Sequence, residues 1–248
     1  MRAARARGSG DRGADRPFRR PLRYGAAHRP VNENGRVRGA APWALALLLA
    51  VALPAAAAAA PLRILAFGDS LTSGYGLPEA DGFPAQLEAA LRARGIEAEV
   101  IDAGVAGDTT AGGRARLDWA LGDKPDAAIL ELGANDALRG LDPAEARANL
   151  DWMLERFAQA GVPVLLAGML APRNLGPDYV EAFDAIYPEL AAAHGVLLYP
   201  FFLDGVIADA SLLQADGMHP NRAGVAVIVE RILPSVLALI DRAKAGAS

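Results

Sequence analysis

From residue 62 onward the chain alternates between short apolar runs and stretches with helical spacing, and that alternation decides the fold class. Leu62–Phe67 is a continuous apolar run. Phe83, Leu87, Ala90 and Leu91 then recur at helical spacing, and Gly95 stands where a helix would close on a glycine. A second strand is predicted from Ala98 through Val100-Ile101, a third over 127–132, a fourth over 162–167 and a fifth over 196–198. Asp142-Pro143-Ala144-Glu145 reads as a helix start: a capping carboxylate, proline at the first helical position and an acid in the first turn. Helices are also predicted over 178–193, interrupted or kinked at Pro188, and from Asn221 to about Ala243, bent or split at Pro234. Strands buried on both faces and separated by helices pair in parallel, so the chain is an α/β protein. Ligands of such sheets bind beyond the carboxyl ends of the strands.

The N-terminal part has a different composition. Residues 1–41 carry eleven Arg against two Asp and one Glu, a net +8, whereas the remainder is −12. Residues 42–60 hold no charge, and the dense apolar part, Trp43 to Leu53, is 11 residues long. A membrane span needs ~20, so this length suits the core of a secretory signal, with cleavage expected near Ala58 to Ala60. Residues 1–60 are therefore read as a basic leader plus signal peptide, or alternatively an N-terminal anchor in the inner membrane, and 61–248 as one domain. The expected location is periplasmic or secreted, without stable membrane insertion once the signal is removed. The acidic body argues against nucleic acid or anionic lipid as the main partner. With no cysteine, the chain has neither disulfides nor a thiolate metal site.

Chemistry concentrates at four places. Gly68-Asp69-Ser70-Leu71-Thr72-Ser73-Gly74-Tyr75-Gly76 follows the first strand, so the Ser70 hydroxyl can stand at the sheet edge beside the free amides of a helix N-terminus. A serine hydroxyl needs a base to become a nucleophile. The body offers two histidines. His194, next to Gly195 at a helix end, reads as a cap or surface residue. His219 lies in Asp216-Gly217-Met218-His219-Pro220-Asn221, where a carboxylate three residues earlier can accept from Nδ1 and leave Nε2 facing a hydroxyl. Pro220 keeps His219 out of the helix that follows. Gly107, after strand two, opens a helix and can present a bare backbone amide. Asn135, after strand three, offers a side-chain amide. Such donors, aimed at a tetrahedral intermediate, are worth ~10²–10³ in turnover each.

These segments, GDSLTSGYG, GDTT, GAND and DGMHPN in that order, resemble the blocks of the SGNH (GDSL) hydrolase superfamily. ELGANDALRG and FDAIYPELAAAHGVLLYPFFL are similar to its bacterial branch of thioesterases, lysophospholipases and arylesterases. The resemblance covers residues 62–240. It implies a flavodoxin-like three-layer α/β/α sandwich with a five-stranded parallel sheet in the order 2-1-3-4-5. It also implies Ser70 as nucleophile, His219 as base, Asp216 as the group orienting His219, and an oxyanion hole from the backbone N–H groups of Ser70 and Gly107 and the side chain of Asn135. Asp102 departs from the asparagine common at the start of the second block and is expected to affect, at most, how the Gly107 loop is tethered.

The chain is thus expected to be a serine esterase acting on acyl esters or thioesters through an acyl-enzyme, as a monomer, with neither metal nor organic cofactor. Its rate should rise with deprotonation of a histidine. Leu138, Leu141, Leu170, Pro172 and Met218 are the expected acyl-binding residues, favouring medium or long chains over acetyl. By the resemblance, Ala137 to Leu141 forms a lip over the acyl chain. Two other readings fit the residues less well. A carbohydrate O-deacetylase on the same scaffold would need sugar-stacking aromatics, and the chain is only 6% aromatic. A binding or chaperone-like protein with a decayed site would not need Ser70, Gly107, Asn135, Asp216 and His219 all in place.

Overall fold

A computed structural model describes residues 60–246. The leader and the expected signal segment lie outside the described residues. Five parallel strands, β1 (Leu62–Gly68), β2 (Ala98–Gly104), β3 (Ala127–Glu131), β4 (Val164–Ala167) and β5 (Leu197–Tyr199), form one sheet in the order β2-β1-β3-β4-β5. β1 is flanked by β2, with Leu62 opposite Ala98, and by β3, with Ile64 opposite Ala127. The order reverses at β1, which opens a crevice between the carboxyl ends of β1 and β3. Ile64, Leu65, Ala66 and Phe67 are all fully buried, so both faces of β1 are covered, as its unbroken apolar run requires.

The covering layers are helical. α1 (Ser70–Ser73) is a single turn at the end of β1, and α4 (Ala134–Leu138) is its counterpart after β3. α2 (Phe83–Arg92) packs against α8 (Arg222–Gly246), while α3 (Thr110–Ala120) packs on α5 (Pro143–Gln159) and α5 on α7 (Ile186–His194). α6 (Pro177–Asp184) completes the set. Asp142 caps α5 as its spacing suggested, accepting from the Ala144 N–H at 2.9 Å.

Three sequence expectations are adjusted. The helix expected over 178–193 is two helices, α6 and α7, parted at Ala185. The Pro188 ring collides with a helical carbonyl four residues back, at Asp184, so the break falls ahead of the proline. α8, in contrast, runs through Pro234 without splitting. Pro234 and Glu230 both stand on the exposed side of the helix, away from the face it buries. α8 is long and apolar enough to cross a membrane, but Val225, Ile228, Ile232, Val236 and Leu239 are buried, and it packs on α2, β3, β4 and β5 as a core helix. Finally, β2 continues to Gly104, three residues beyond its apolar stretch, because the register with β1 holds up to Gly68.

Candidate active site

β1 ends at Gly68, where a Cβ would fall 2.0 Å from Thr72 Oγ1 and 2.6 Å from the Glu131 carbonyl. Only glycine lets the chain turn there. Asp69 then caps α1, its Oδ1 accepting from the Leu71 N–H at 2.9 Å. Ser70 is thereby the first residue of a helical turn, at the carboxyl edge of the sheet and almost buried.

The loop before α8 brings the histidine to it. Gln214 and His219 close a turn through the Gln214 N–H and the His219 carbonyl at 2.8 Å. The Gln214 amide also donates to the carbonyls of Pro220, at 3.0 Å, and Tyr75, at 2.7 Å, which fastens this loop to the one after α1. His219 Nε2 lies 2.9 Å from Ser70 Oγ, and its Nδ1 lies 2.6 Å from Asp216 Oδ2. The other Asp216 oxygen accepts from the N–H groups of Met218, at 2.9 Å, and His219, at 3.0 Å. These bonds, from the His219 and Met218 amides first and the imidazole next, hold the Asp216 carboxyl down at about 2. The Tyr75 ring packs against the imidazole with centroids 4.8 Å apart. Carboxylate, imidazole and hydroxyl so aligned can take the serine proton as the oxygen attacks an electrophilic carbon. His194 lies elsewhere, bonded to Asp151 of α5 at 2.6 Å.

Asn135 is the second residue of α4, and its Nδ2 donates to Asp69 Oδ2 at 2.9 Å. α4 is tied to α3 by Asp136, which accepts from the Thr110 N–H at 2.8 Å and hydroxyl at 2.6 Å. Gly107 does not open α3. The cap is Thr109, and Gly107 sits two residues before it with φ +82°, in the left-handed region that favours glycine. Its carbonyl accepts from Arg139, just after α4, at 2.8 Å. The loop between β2 and α3 is further held by Arg116, which bonds Asp108 at 2.7 Å and the carbonyls of Ala103 and Gly68 at 2.8 Å. Asp102 accepts from the Gly104 N–H at 2.9 Å, so it braces the strand end rather than the Gly107 turn. Burial raises its pKa.

A cavity of about 500 Å³ opens beside Ser70, Asn135 and His219. Leu138, Leu170, Pro172 and Met218 line it as expected positions, joined by Met169, Phe201, Leu203 and Ile207, which sequence reasoning did not single out. Leu141 is not in its wall. The Leu141 carbonyl accepts from the Tyr179 hydroxyl at 2.7 Å, which fixes this residue behind α4.

Behind Ser70 lies a pair of acids that the motifs did not reveal. Asp69 and Glu131 are fully buried. Glu131 Oε2 accepts from the Thr72 hydroxyl at 2.7 Å and the Asp69 N–H at 3.4 Å. Burial pushes Asp69 up to about 6, opposed by its bonds from Leu71 and Asn135. Burial and then the Asp69 charge push Glu131 well above the usual carboxylate range.

A doubly wound parallel sheet with this constellation at its carboxyl edge belongs to the hydrolases that cleave ester bonds. The chain is a member of the GDSL-like lipase/acylhydrolase family, whose profile matches residues 66–227. It is 40% identical to esterase TesA of Pseudomonas aeruginosa over 183 residues, covering 73% of this chain and 91% of that protein. It is 36% identical to thioesterase 1/protease 1/lysophospholipase L1 of Escherichia coli strain K12, covering 80% and 94% of the two. Among solved structures, AlinE4, an esterase of the SGNH-hydrolase family, superposes with a TM-score of 0.62 at 50% identity, over 72% of this chain and 96% of that one. The chain is an ester-bond hydrolase of the serine type, and a carbohydrate deacetylase is not favoured by these relatives.

Proposed function

We propose that Ser70 is the nucleophile, His219 its base and Asp216 the group that orients the imidazole. Ser70 Oγ attacks the acyl carbonyl carbon while its proton passes to Nε2 of His219. The tetrahedral oxyanion is met by the backbone N–H groups of Ser70 and Gly107 and by the Asn135 side chain. Collapse expels the alcohol or thiol, which takes the proton back from His219, and leaves an ester on Ser70. Water then attacks that ester with His219 again as base, releasing the acid and restoring the serine. The observation that carries this reading is the unbroken line Asp216–His219–Ser70, at 2.6 and 2.9 Å, opening onto the cavity.

The substrates we infer are esters and thioesters of medium or long acyl chains. Leu138, Leu170, Pro172 and Met218, with Phe201 beside them, make a wall suited to an aliphatic chain and poor for stacking a sugar. We further read the enzyme as an exported monomer, a location supported by the uncharged stretch at 42–60. Amino-terminal sequencing of the mature protein and its mass in solution test those two points.

The deciding experiment is a panel of p-nitrophenyl esters and acyl thioesters from acetyl to palmitoyl, run beside covalent labelling with a fluorophosphonate. Hydrolysis should favour octanoyl and longer chains, and Ser70→Ala should abolish both hydrolysis and labelling with the fold intact. A label that lands on another residue, or persists in Ser70→Ala, refutes the assignment. A preference for acetylated sugars with no turnover of octanoyl esters refutes the substrate class.

A further inference from the structure

Asn135 can serve the oxyanion only if its amide is the right way round. Its Oδ1 and Nδ2 exchange places by a half-turn about the last side-chain bond, and the two orientations have nearly the same shape. One presents a donor to the reacting centre and the other presents an acceptor, which would repel the oxyanion. Something must hold the choice.

The contacts around Asp69 supply it. Both Asp69 oxygens take N–H donors: Oδ1 from Leu71 at 2.9 Å and Oδ2 from Asn135 at 2.9 Å. A carboxylate accepts and does not donate, so Oδ1 of Asn135 cannot occupy the place of Nδ2 without setting two acceptors against each other in a buried site. Nδ2 carries two hydrogens. With one committed to Asp69, the other is left for the cavity that Asn135, Ser70 and His219 line together. The charges around Asp69 are those of Glu131 behind it, Asp108 beyond the β2 end and His219 across the site. Glu131 meets the Thr72 hydroxyl and the backbone N–H groups of Asp69 and Thr72, and its Oε1 has no hydrogen-bond partner among the described residues. Of the two acids, Asp69 is the one whose surroundings suit a full charge.

We propose that Asp69 is a positioning residue of the reaction: its carboxylate locks the Asn135 amide with Nδ2, not Oδ1, toward the oxyanion. The inference rests on the proposed role of Asn135. It explains why an acid stands buried beside a serine whose relay to His219 and Asp216 makes no use of it. The Asp69 carboxylate sits 66 residues from its amide partner and joins the ends of β1 and β3 across the crevice.

Asp69→Asn tests it with the least disturbance. Asparagine has the same shape and caps a helix equally well, so the Leu71 N–H keeps its acceptor. It can also donate, so it no longer forbids the flipped amide. kcat should fall about ten- to a hundredfold with KM changed less than about twofold, because the acyl wall is untouched. Asn135→Ala should cost about 10²–10³ in kcat. The double variant should be no slower than Asn135→Ala alone, since the two residues act as one unit. Fluorophosphonate labelling of Ser70 should follow the same non-additive pattern. Circular dichroism and Tm check the fold. Should Asp69→Asn not fold, Asp69→Ser keeps a capping oxygen too short to reach Asn135 and makes the same prediction. If Asp69→Asn keeps wild-type kcat, or slows the Asn135→Ala enzyme by the same factor as the wild type, Asp69 does not act through Asn135 and the proposal falls alone. If Asn135→Ala is fully active, the oxyanion role of Asn135 fails and the proposal fails with it.

Discussion

Removing the charge at Asp69 should flatten the way stability falls with rising pH. Asp69 is fully buried, and burial lifts its pKa from the ordinary 3.8 to about 6. The folded state therefore binds a proton more tightly than the unfolded chain does. The stability that goes with that proton is present in full below about pH 3.8 and is lost as pH rises through about 6. At 1.36 kcal/mol per pKa unit, charging Asp69 in the fold costs on the order of 3 kcal/mol by pH 7. Glu131 acts in the same direction, since burial and the Asp69 charge raise its pKa as well. Asp216 acts in the opposite sense: with its pKa held at about 2, what it contributes is lost only as pH falls below the ordinary carboxylate range, outside this window. The assay is urea unfolding of wild type and Asp69→Asn at constant salt between pH 4 and 7.5, with ΔG by linear extrapolation. Any constant offset from the substitution is irrelevant; only the pH dependence of the difference counts. The wild type should lose about 2–2.5 kcal/mol relative to Asp69→Asn between pH 4 and 7, the rest of the effect falling below pH 4. A difference that stays flat would mean that Asp69 ionises in the fold as it does in water, and one that favours the wild type as pH rises would mean that the fold prefers the charged form; either refutes the account of the buried pair.

Asp216→Asn should lower kcat by as much as about 10⁴, because the amide no longer holds the imidazole in the useful tautomer, while the wild-type acid limb should show no ionisation of Asp216 above pH ~4; unchanged kcat from pH 5 to 9 refutes its role. Leu170→Asp, which puts a charge in the cavity wall, should cut the octanoyl-to-acetyl ratio of kcat/KM about tenfold or more, since a buried aliphatic contact is worth roughly 1.5–3 kcal/mol; an unchanged ratio would place the acyl chain elsewhere. Gly104→Ala would set a Cβ 2.5 Å from the Ser73 nitrogen and 2.8 Å from the Asp69 carbonyl, both backbone atoms, so α1 must move off β2. Overpacking of this kind costs about 1–3 kcal/mol and should lower Tm by several degrees together with kcat; a variant of unchanged Tm refutes the tight approach.

What could be read from the sequence depended on how far apart the cooperating residues lie. Asp216 and His219 are three residues apart, and the turn that joins them closes on itself. The apolar runs that became β1, β3 and β4 announced themselves because a strand buried on both faces has no polar alternation to blur it. Pro188 was legible as a break, but the continuation of α8 through Pro234 was not: it goes with the long buried face that packs on α2 and the sheet on both sides of the proline, which only the packed structure shows. Glu131 was hidden for the opposite reason. At the end of an apolar run a charge reads as the strand's exit to solvent, yet here it is sealed beneath α1, with Thr72 and Asp69 as partners some 60 residues away in sequence. Tyr75 and Gln214 escaped for a related cause. Tyr75 stands inside the GDSLTSGYG segment, but its value comes from the imidazole it packs on, and the Gln214 side chain matters through carbonyls in two separate loops. The chemistry at Ser70 thus uses two kinds of information. The reacting groups are written in short motifs, because each must be presented by its own turn. The groups that aim them, Asp69 upon Asn135 and Gln214 upon the His219 loop, are contacts between motifs, and they come into being only when the switch point of the sheet brings the ends of β1 and β3 side by side.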